Sequence, residues 1–600
     1  MKKLIGLIIV TGILLSACSS DEVKITRNSK AVSRIVISEN PTEIERYSAK
    51  VLQKYLYQIS GAELKIVSDV NSAKKNDIQL GKVDRKETSS IDFDKLEEDG
   101  FVIQTHNKHL IIAGGSEKGT LYGVYSFLEK HLGCRKYTSR VSFIPRINSI
   151  SVQNIIDEEI PVFKFREVYY RDAFNQSYRE WHGLDSNGFL GTESDWGSWC
   201  HTMGSLVPPE KYAKSNADFY SMRNGKRTGD LFHNNRSDIC FSNEGALDAT
   251  CASLTKLIEK NPAPKYWSVS QMDNAEYCTC PKCQKAYDEQ GSTMGTILPF
   301  VNEVAKRFPD KTISTLSYWY STRPPKNIKP EKNVNIMLCN IGSPRHIPIE
   351  EGDSTFCSDL EEWAKIHDNI ILWDYVIQFA NLLAPFPNLR TLQPNLQYLN
   401  KNGVVAMFEQ ANRDVGGEFC ELKAYLFSKL LWDPYQDMEP IIDDFVTGYY
   451  GAAAKYVREY IDLMHDALEN NNGRLSIFGS PWDNRETFLS EELIQKYYGL
   501  LEKGMEVVAD DPDLVFRVRT VKNQIDYAVL DIAKREVDGE RGAIMVKDGK
   551  RIVKPEIEDT LAEFLNVCEL YGVTRVHEWH TPPREYVAKY RDFLKENTDL

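Results

Sequence analysis

Three carboxylates stand at the ends of short apolar, β-rich runs of the sequence. Asp273 follows Tyr266–Ser270 in Ser-Val-Ser-Gln-Met-Asp-Asn, Asp374 lies in Leu-Trp-Asp-Tyr, and Glu409 ends Met-Phe-Glu-Gln. Cleavage of a glycosidic bond needs such groups: one protonates the leaving oxygen while another activates water or attacks directly. Around them Trp199, His201, Trp319, Trp373 and Tyr375 offer flat faces and hydrogen bonds to a sugar ring, as do Trp196 and Tyr320. Asn274 and Asn412 add amides beside two of the carboxylates, and Arg166 and Arg171 are cations in the first apolar run and just after it. Each has a plainer reading. Asp273 and Asn274 can cap a following helix, Asp374 can pair with Arg166 or Arg171, and the aromatics can be core. Glu418 and Glu421 read as helix residues. Other chemistries lack their motifs: there is no phosphate loop, no G-x-S-x-G elbow and no H-E-x-x-H helix, and Gly114-Gly115 lacks the dinucleotide fingerprint.

A second cluster is Cys278-Thr-Cys280-Pro-Lys-Cys283. Cys278 and Cys280 are too close for an easy mutual bridge in regular structure. The spacing favours one disulfide with a spare thiol over a structural zinc, because the usual two-pair zinc pattern is absent. Zinc would need a fourth ligand from afar, with Cys200, His201, Cys240 and Cys251 as candidates. The carboxylate chemistry itself requires no cofactor.

The elements that must position these groups follow from the periodicity. Residues 24–150 read as a compact α/β domain, with strands at Arg34–Ser38, Leu64–Val67, Ile78–Leu80, Phe101–Thr105 and Leu110–Ala113 and a turn at Asn107. Its two helices run from Thr42 to Ser60, stopped by Gly61, and from Gly119 to Leu132, stopped by Gly133. Residues 160–433 carry eight apolar runs separated by helical or loop segments: Phe163–Tyr170, Gly188–Leu190, Ile239–Phe241, Tyr266–Ser270, Ile313–Tyr318, Val334–Leu338, Ile370–Tyr375 and Val404–Phe408. That alternation predicts an α/β chain built on a (β/α)8 TIM-type barrel, with a doubly wound open sheet as the alternative. Trp181–Asn235 reads as a long loop rich in Gly and Trp. Residues 434–600 are helical in period, with no obvious chemistry of their own.

Composition bounds the rest. At 600 residues the chain can hold three to five domains, or one large barrel with appendages. Its 42% hydrophobic content excludes a mainly disordered chain, and a net charge of −13 without clustered Lys or Arg argues against nucleic-acid binding. Residues 1–17 read as an export signal, with Lys2 and Lys3 ahead of an apolar run too short to span a bilayer. Leu-Ser-Ala-Cys18 resembles a bacterial lipobox, so lipidation at Cys18 and a place in the cell envelope, anchored to the outer membrane by lipid alone, are expected.

The mature chain also carries the features of a known group. "EIERYSAKVLQKYLYQISGAELKI" and "DGFVIQTHNKHLIIAGGSEKGTLYGVYSFLEKHLGCRKY" resemble the N-terminal domain of family 67 α-glucuronidases and the domain preceding the barrel in family 20 β-hexosaminidases. "PPEKYAKSNADFYSMRNGKR", "SQMDNAEYCTCPKC", "LWDYV", "PNLRTLQPNLQYLNKNGVVAMFEQ" and "GGEFCELKAYLFSKLLWDP" resemble a Bacteroidetes lipoprotein family of uncharacterised function with a glycosidase-like barrel. The resemblance implies a glycoside hydrolase acting on a complex glycan. Asp273 would be the general acid, and Glu409 with Asp374 the base or nucleophile. Arg166, Arg171, Trp199, His201 and Trp373 would hold the sugar, with Asn274, Trp319, Tyr375 and Asn412 beside them. Two departures stand out. The acid position holds Asp rather than Glu, and the Asp-Glu pair of family 20 is replaced by Asp273-Asn274, which argues against acetamido assistance. The rival from another class is a glycan-binding surface protein on a degenerate barrel.

Overall fold

A computed structural model describes residues 21–188, 194–230, 237–579 and 581–599. The export signal, Cys18 and Leu190 lie outside the described residues. Among the described residues no helix is long and apolar enough to cross a membrane.

The chain divides into two compact units. The first, Met1–Cys134 with Ile144–Ile160, is a six-stranded mixed sheet. Its strand order is Ile156–Glu159, Phe101–His106, His109–Gly114, Ile78–Leu80, Ile35–Ile37, Ile66–Ser68. The helix Glu43–Ser60 begins where Thr42 and Glu45 exchange side-chain and backbone hydrogen bonds in a capping box. It stops at Gly61, whose φ of 75° suits a residue without a Cβ. Its buried face, including Val51, Leu52, Leu56 and Ile59, keeps the expected three-and-four spacing. The turn at Asn107 has φ 49° and joins two antiparallel strands in register from Phe101↔Gly114 to His106↔His109.

The second unit, Arg135–Phe143 with Pro161–Leu600, holds a curled, parallel half-barrel sheet of seven strands. In chain order these are β1 (Phe165–Val168), β2 (Trp196–Ser198), β3 (Tyr266–Ser268), β4 (Thr312–Ser317), β5 (Val334–Cys339), β6 (Ile370–Tyr375) and β7 (Val404–Gln410). The spatial order is β1-β7-β6-β5-β4-β3-β2, so from β2 onward each strand pairs with its successor, and the last pairs with the first. The remaining seam, between β1 and β2, is not closed by a strand pair among the described residues. The expected run Ile239–Phe241 is not a barrel strand; Ile239 makes a single antiparallel bridge to Tyr220. Instead β2 arises inside the segment read as loop, where three residues, Trp-Gly-Ser, are too few to show a period. Strands β5 and β6, Val-Asn-Ile-Met-Leu-Cys and Ile-Ile-Leu-Trp-Asp-Tyr, are mostly apolar, as a sheet covered on both faces favours.

Helices Met438–Tyr450, Ala454–Asn470, Glu491–Val507, Pro512–Glu536, Pro555–Tyr571 and Pro583–Glu596 follow, interrupted by a hairpin, Ile544–Lys547 with Lys550–Val553. Pro512 opens the longest, and the Asp511 side chain accepts from the backbone N–H groups of Asp513 and Leu514.

Candidate functional site

The C-terminal ends of the parallel strands open on a cavity of about 590 Å³. Its walls are aromatic: Tyr169, Trp199, Tyr318, Trp319, Trp373, Tyr375, Phe379 and Phe408 line it. Trp199 stacks on Trp373 with ring centres 5.7 Å apart, and Phe408 meets both edge-on. The Trp373 indole N–H donates to Gln410 Oε1 at 2.6 Å, which fixes its ring. Of the residues singled out from sequence, Asp273, Asn274, Trp199, His201, Trp319, Trp373 and Tyr375 are brought together here.

Asp273 reaches the cavity on the segment after β3. Its Oδ1 accepts from the Tyr318 hydroxyl at 3.1 Å and lies 3.8 Å from His201 Nε2. His201 Nδ1 donates to the Gln271 carbonyl at 2.6 Å, and burial holds the ring below the usual histidine range. The ring is therefore neutral near pH 7, with the Nε2 lone pair turned toward Asp273. Burial and the neighbouring Asp273 charge push the Tyr318 hydroxyl up, so it remains a donor. Burial also pushes the Cys200 thiol up to about 11, which excludes a thiolate nucleophile near neutral pH.

The segment itself is held from below. Buried Asp238 accepts from Met272 N–H at 2.9 Å through Oδ2 and from Ile239 N–H at 2.8 Å through Oδ1. Burial pushes the Asp238 carboxyl up to about 7. Asn274 donates to the Ser237 carbonyl and accepts from Glu276 N–H, so it shapes the turn as well as lining the cavity.

Glu409 and Asp374, read from sequence as the second catalytic pair, are not among the cavity-lining residues. The reason is strand geometry. Trp373 pairs with Phe408 and Tyr375 with Gln410, all four lining the cavity, so the intervening pair Asp374↔Glu409 faces the other side of the sheet. There Asp374 accepts from Asn340 Nδ2 at 2.8 Å and lies 3.8 Å from buried Arg345, which takes the place expected for Arg166 or Arg171. Glu409 is fully buried, and neither carboxylate oxygen has a hydrogen-bond partner among the described residues. Burial, with repulsion from Asp374, pushes its carboxyl well above the ordinary range. Glu409 is thus held protonated.

Arg166 is also structural. It is buried, donates to the carbonyls of Gly183 and Phe163 at 2.7 and 2.6 Å, and lies over the Trp432 ring. Arg171 is exposed on a 3-10 turn and does not line the cavity. Asn412 lines a small side crevice that shares Tyr169, Phe379, Gln410, Arg413 and Glu578 with the main cavity.

The region after residue 434, read as chemically silent, supplies one wall: Ile477, Phe478, Glu578 and Trp579. Phe478 and Trp579 stack at 6.3 Å and 20°, and are 54% and 59% exposed at the rim. Glu578 N–H donates to the Phe379 carbonyl at 3.0 Å, and Leu382 N–H donates to the Val576 carbonyl at 2.9 Å. Arg575 binds both Asp414 and the Glu578 carbonyl, clamping this segment to the loop after β7. Nothing local in His-Glu-Trp marks that role, whereas Tyr318 and Gln410 stood at strand ends and were open to the same argument as Asp273. Three lining residues, Cys200, Trp319 and Arg413, have φ of 47°, 52° and 45°, conformations that side chains other than glycine rarely adopt. Such strain concentrates at functional sites.

The cysteine triplet is not part of the cavity wall. The structure gathers Cys278, Cys280 and Cys283 with Cys240, and leaves Cys200, His201 and Cys251 outside that group. All eleven cysteines among the described residues are unbridged.

The family described as "Domain of unknown function (DUF4838)" matches residues 136–462, and "Glycosyl hydrolase family 67 N-terminus" matches residues 19–127. No curated protein matches the chain by sequence. Among solved structures, a family GH115 4-O-methyl-α-glucuronidase with specificity for decorated arabinogalactans superposes with a TM-score of 0.56 at 12% identity, covering 95% of this chain and 80% of that one. A GH138 enzyme targeting pectin rhamnogalacturonan II gives 0.48 at 12% identity over 94% and 98% of the two chains. The GH20 β-N-acetylhexosaminidase from Streptomyces coelicolor A3(2) gives 0.39 at 12% identity over 71% and 91%. At such identity the likeness to the first is one of fold, and that fold is glycosidase-like.

Proposed function

The chain belongs to the family of the DUF4838 domain, with a glycosidase-like fold, and we propose that this member is a glycoside hydrolase acting on a glycan in the aromatic cavity. The observation that carries the reading is Asp273, oriented by Tyr318 inside a sugar-sized cavity walled by aromatic rings at the C-terminal ends of parallel strands. In this reading Asp273 meets the glycosidic oxygen and exchanges its proton. Glu578, the other carboxylate lining the cavity among the described residues, acts on the opposite side of the bond as base or nucleophile. Neutral His201 accepts a sugar hydroxyl through Nε2, and Trp199, Trp373 and Tyr375 pack on the ring faces. The rim pair Phe478–Trp579 extends the platform toward a second residue of the chain.

The test is turnover of a panel of aryl glycosides and natural glycans by the purified protein. Release of sugar supports the reading. Saturable binding across the panel with no release would sink it in favour of a glycan-binding protein, a reading that the burial of Asp374 and Glu409 away from the cavity keeps in view.

Two smaller effects follow from the same geometry. Trp579→Ala should raise KM roughly tenfold with kcat nearly unchanged, because an exposed platform binds ground and transition states alike; steady-state kinetics on an oligosaccharide would read it. Glu409→Gln should leave turnover intact and stabilise the fold in alkali. Glu409 keeps its proton when folded but loses it when unfolded above about pH 4.3, so wild-type stability falls as pH rises from there toward the raised folded value. The limiting slope is about 1.4 kcal/mol per pH unit, and urea melts of both proteins at pH 5 and pH 8 would expose the difference. Loss of turnover in this variant would return Glu409 to the chemistry.

A further inference from the structure

We propose that Cys240, Cys278, Cys280 and Cys283 bind one structural zinc ion that locks the Asp273 segment in place. The four side chains come from two segments, one beginning just after the Tyr220↔Ile239 bridge and one entering the helix Pro281–Gln290. Their sulfurs all lie within 4.8 Å of one another, with Cys240 3.7 Å from Cys280 and 3.6 Å from Cys283. Four thiolates around a zinc at about 2.3 Å stand about 3.8 Å apart along each tetrahedral edge. The separations here fit that figure, and both exceed the roughly 2.05 Å of a bonded sulfur pair.

The surroundings suit thiolates. All four cysteines are buried. Met222 N–H donates to Cys278 Sγ at 3.2 Å, and the Arg227 guanidinium reaches the same sulfur at 4.0 Å. Ser242 Oγ lies 3.2 Å from Cys283 Sγ. Cys280 stands at the N-cap position of the ten-residue helix Pro281–Gln290 and Cys283 sits in its first turn, where the helix dipole favours negative charge. Four sulfurs in a closed, buried shell leave no open position, which is the form of a structural rather than a catalytic metal. Cys278 is five residues beyond Asp273, and Cys240 two beyond Asp238, whose carboxylate holds Met272 N–H. One ion therefore ties both arms of the segment that carries Asp273.

The test starts from the full chain purified without added metal. Elemental analysis should give one zinc per chain, released in step with mercurial titration of four thiols. Cys240→Ser should lose the zinc. Should that variant fail to fold, Arg227→Ala keeps all four ligands and should weaken zinc about tenfold in chelator competition. Absence of zinc together with a mass lowered by the four hydrogens of two disulfides would overturn the proposal. One iron per chain, or zinc removed by dialysis with no change in thiol reactivity, would overturn it equally.

Discussion

Asp273→Asn should abolish turnover, with kcat/KM falling by about 10²–10⁴, while the protein folds and binds glycan as before. The side chain is 56% exposed, and an amide oxygen can still accept from the Tyr318 hydroxyl, so the substitution removes the proton-transfer group and little else. Tryptophan fluorescence would report binding, since Trp199 and Trp373 line the same cavity. Leaving group separates the roles available to this carboxylate. If Asp273 protonates the departing oxygen, the loss should shrink for an aryl glycoside whose phenolate leaves without help. Wild-type rates in the variant would remove Asp273 from the mechanism altogether.

Lys423→Ala should destabilise the second unit by about 3–5 kcal/mol. Lys423 and Glu418 form a fully buried ion pair, and Lys423 Nζ also donates to the Phe386 carbonyl at 3.1 Å. Burial pushes the Glu418 carboxyl up and the Lys423 ammonium down, each offset by the other's charge. Removing the lysine leaves a carboxylate in the core with no counter-charge. Replacing both, as Glu418→Gln with Lys423→Met, should cost much less, because no charge then remains to be desolvated. Urea unfolding of the single and double variants gives the comparison; equal losses in the two would mean that packing, not charge, sets the effect.

The elements were readable where local chemistry decides them. The helix Glu43–Ser60 was announced by its three-and-four spacing and by Gly61, and the strands Ile78–Leu80 and Ile370–Tyr375 by apolar runs with the bounds now seen. Strand phase is equally local, and it assigns the faces of the two strands that carry Asp374 and Glu409. Trp373, Asp374 and Tyr375 are consecutive in one strand, so the aromatics and the carboxylate could not all face a single cavity. The two aromatics took it, and the same alternation removed Glu409 between Phe408 and Gln410. Asp273 escapes that constraint because it lies beyond the last paired residue of its strand, Ser268. What no local pattern carried was long-range closure. Cys240 joins a triplet about forty residues away, and Glu578 and Trp579 meet a wall begun at Tyr169. Contacts at such separations are set by how helices pack, which periodicity does not encode.

That last wall has a consequence for synthesis. The cavity borrows from Tyr169 near one end of its unit and from Trp579 near the other, so no ribosome-bound intermediate can possess it before residue 579 has emerged. A nascent chain stalled earlier, or one clipped in the 570s, lacks the part of the cavity wall that Glu578 and Trp579 supply. Glu578 and Trp579 are therefore the last parts of the wall to be made, and chains that end before them should bind an oligosaccharide more weakly than the full chain.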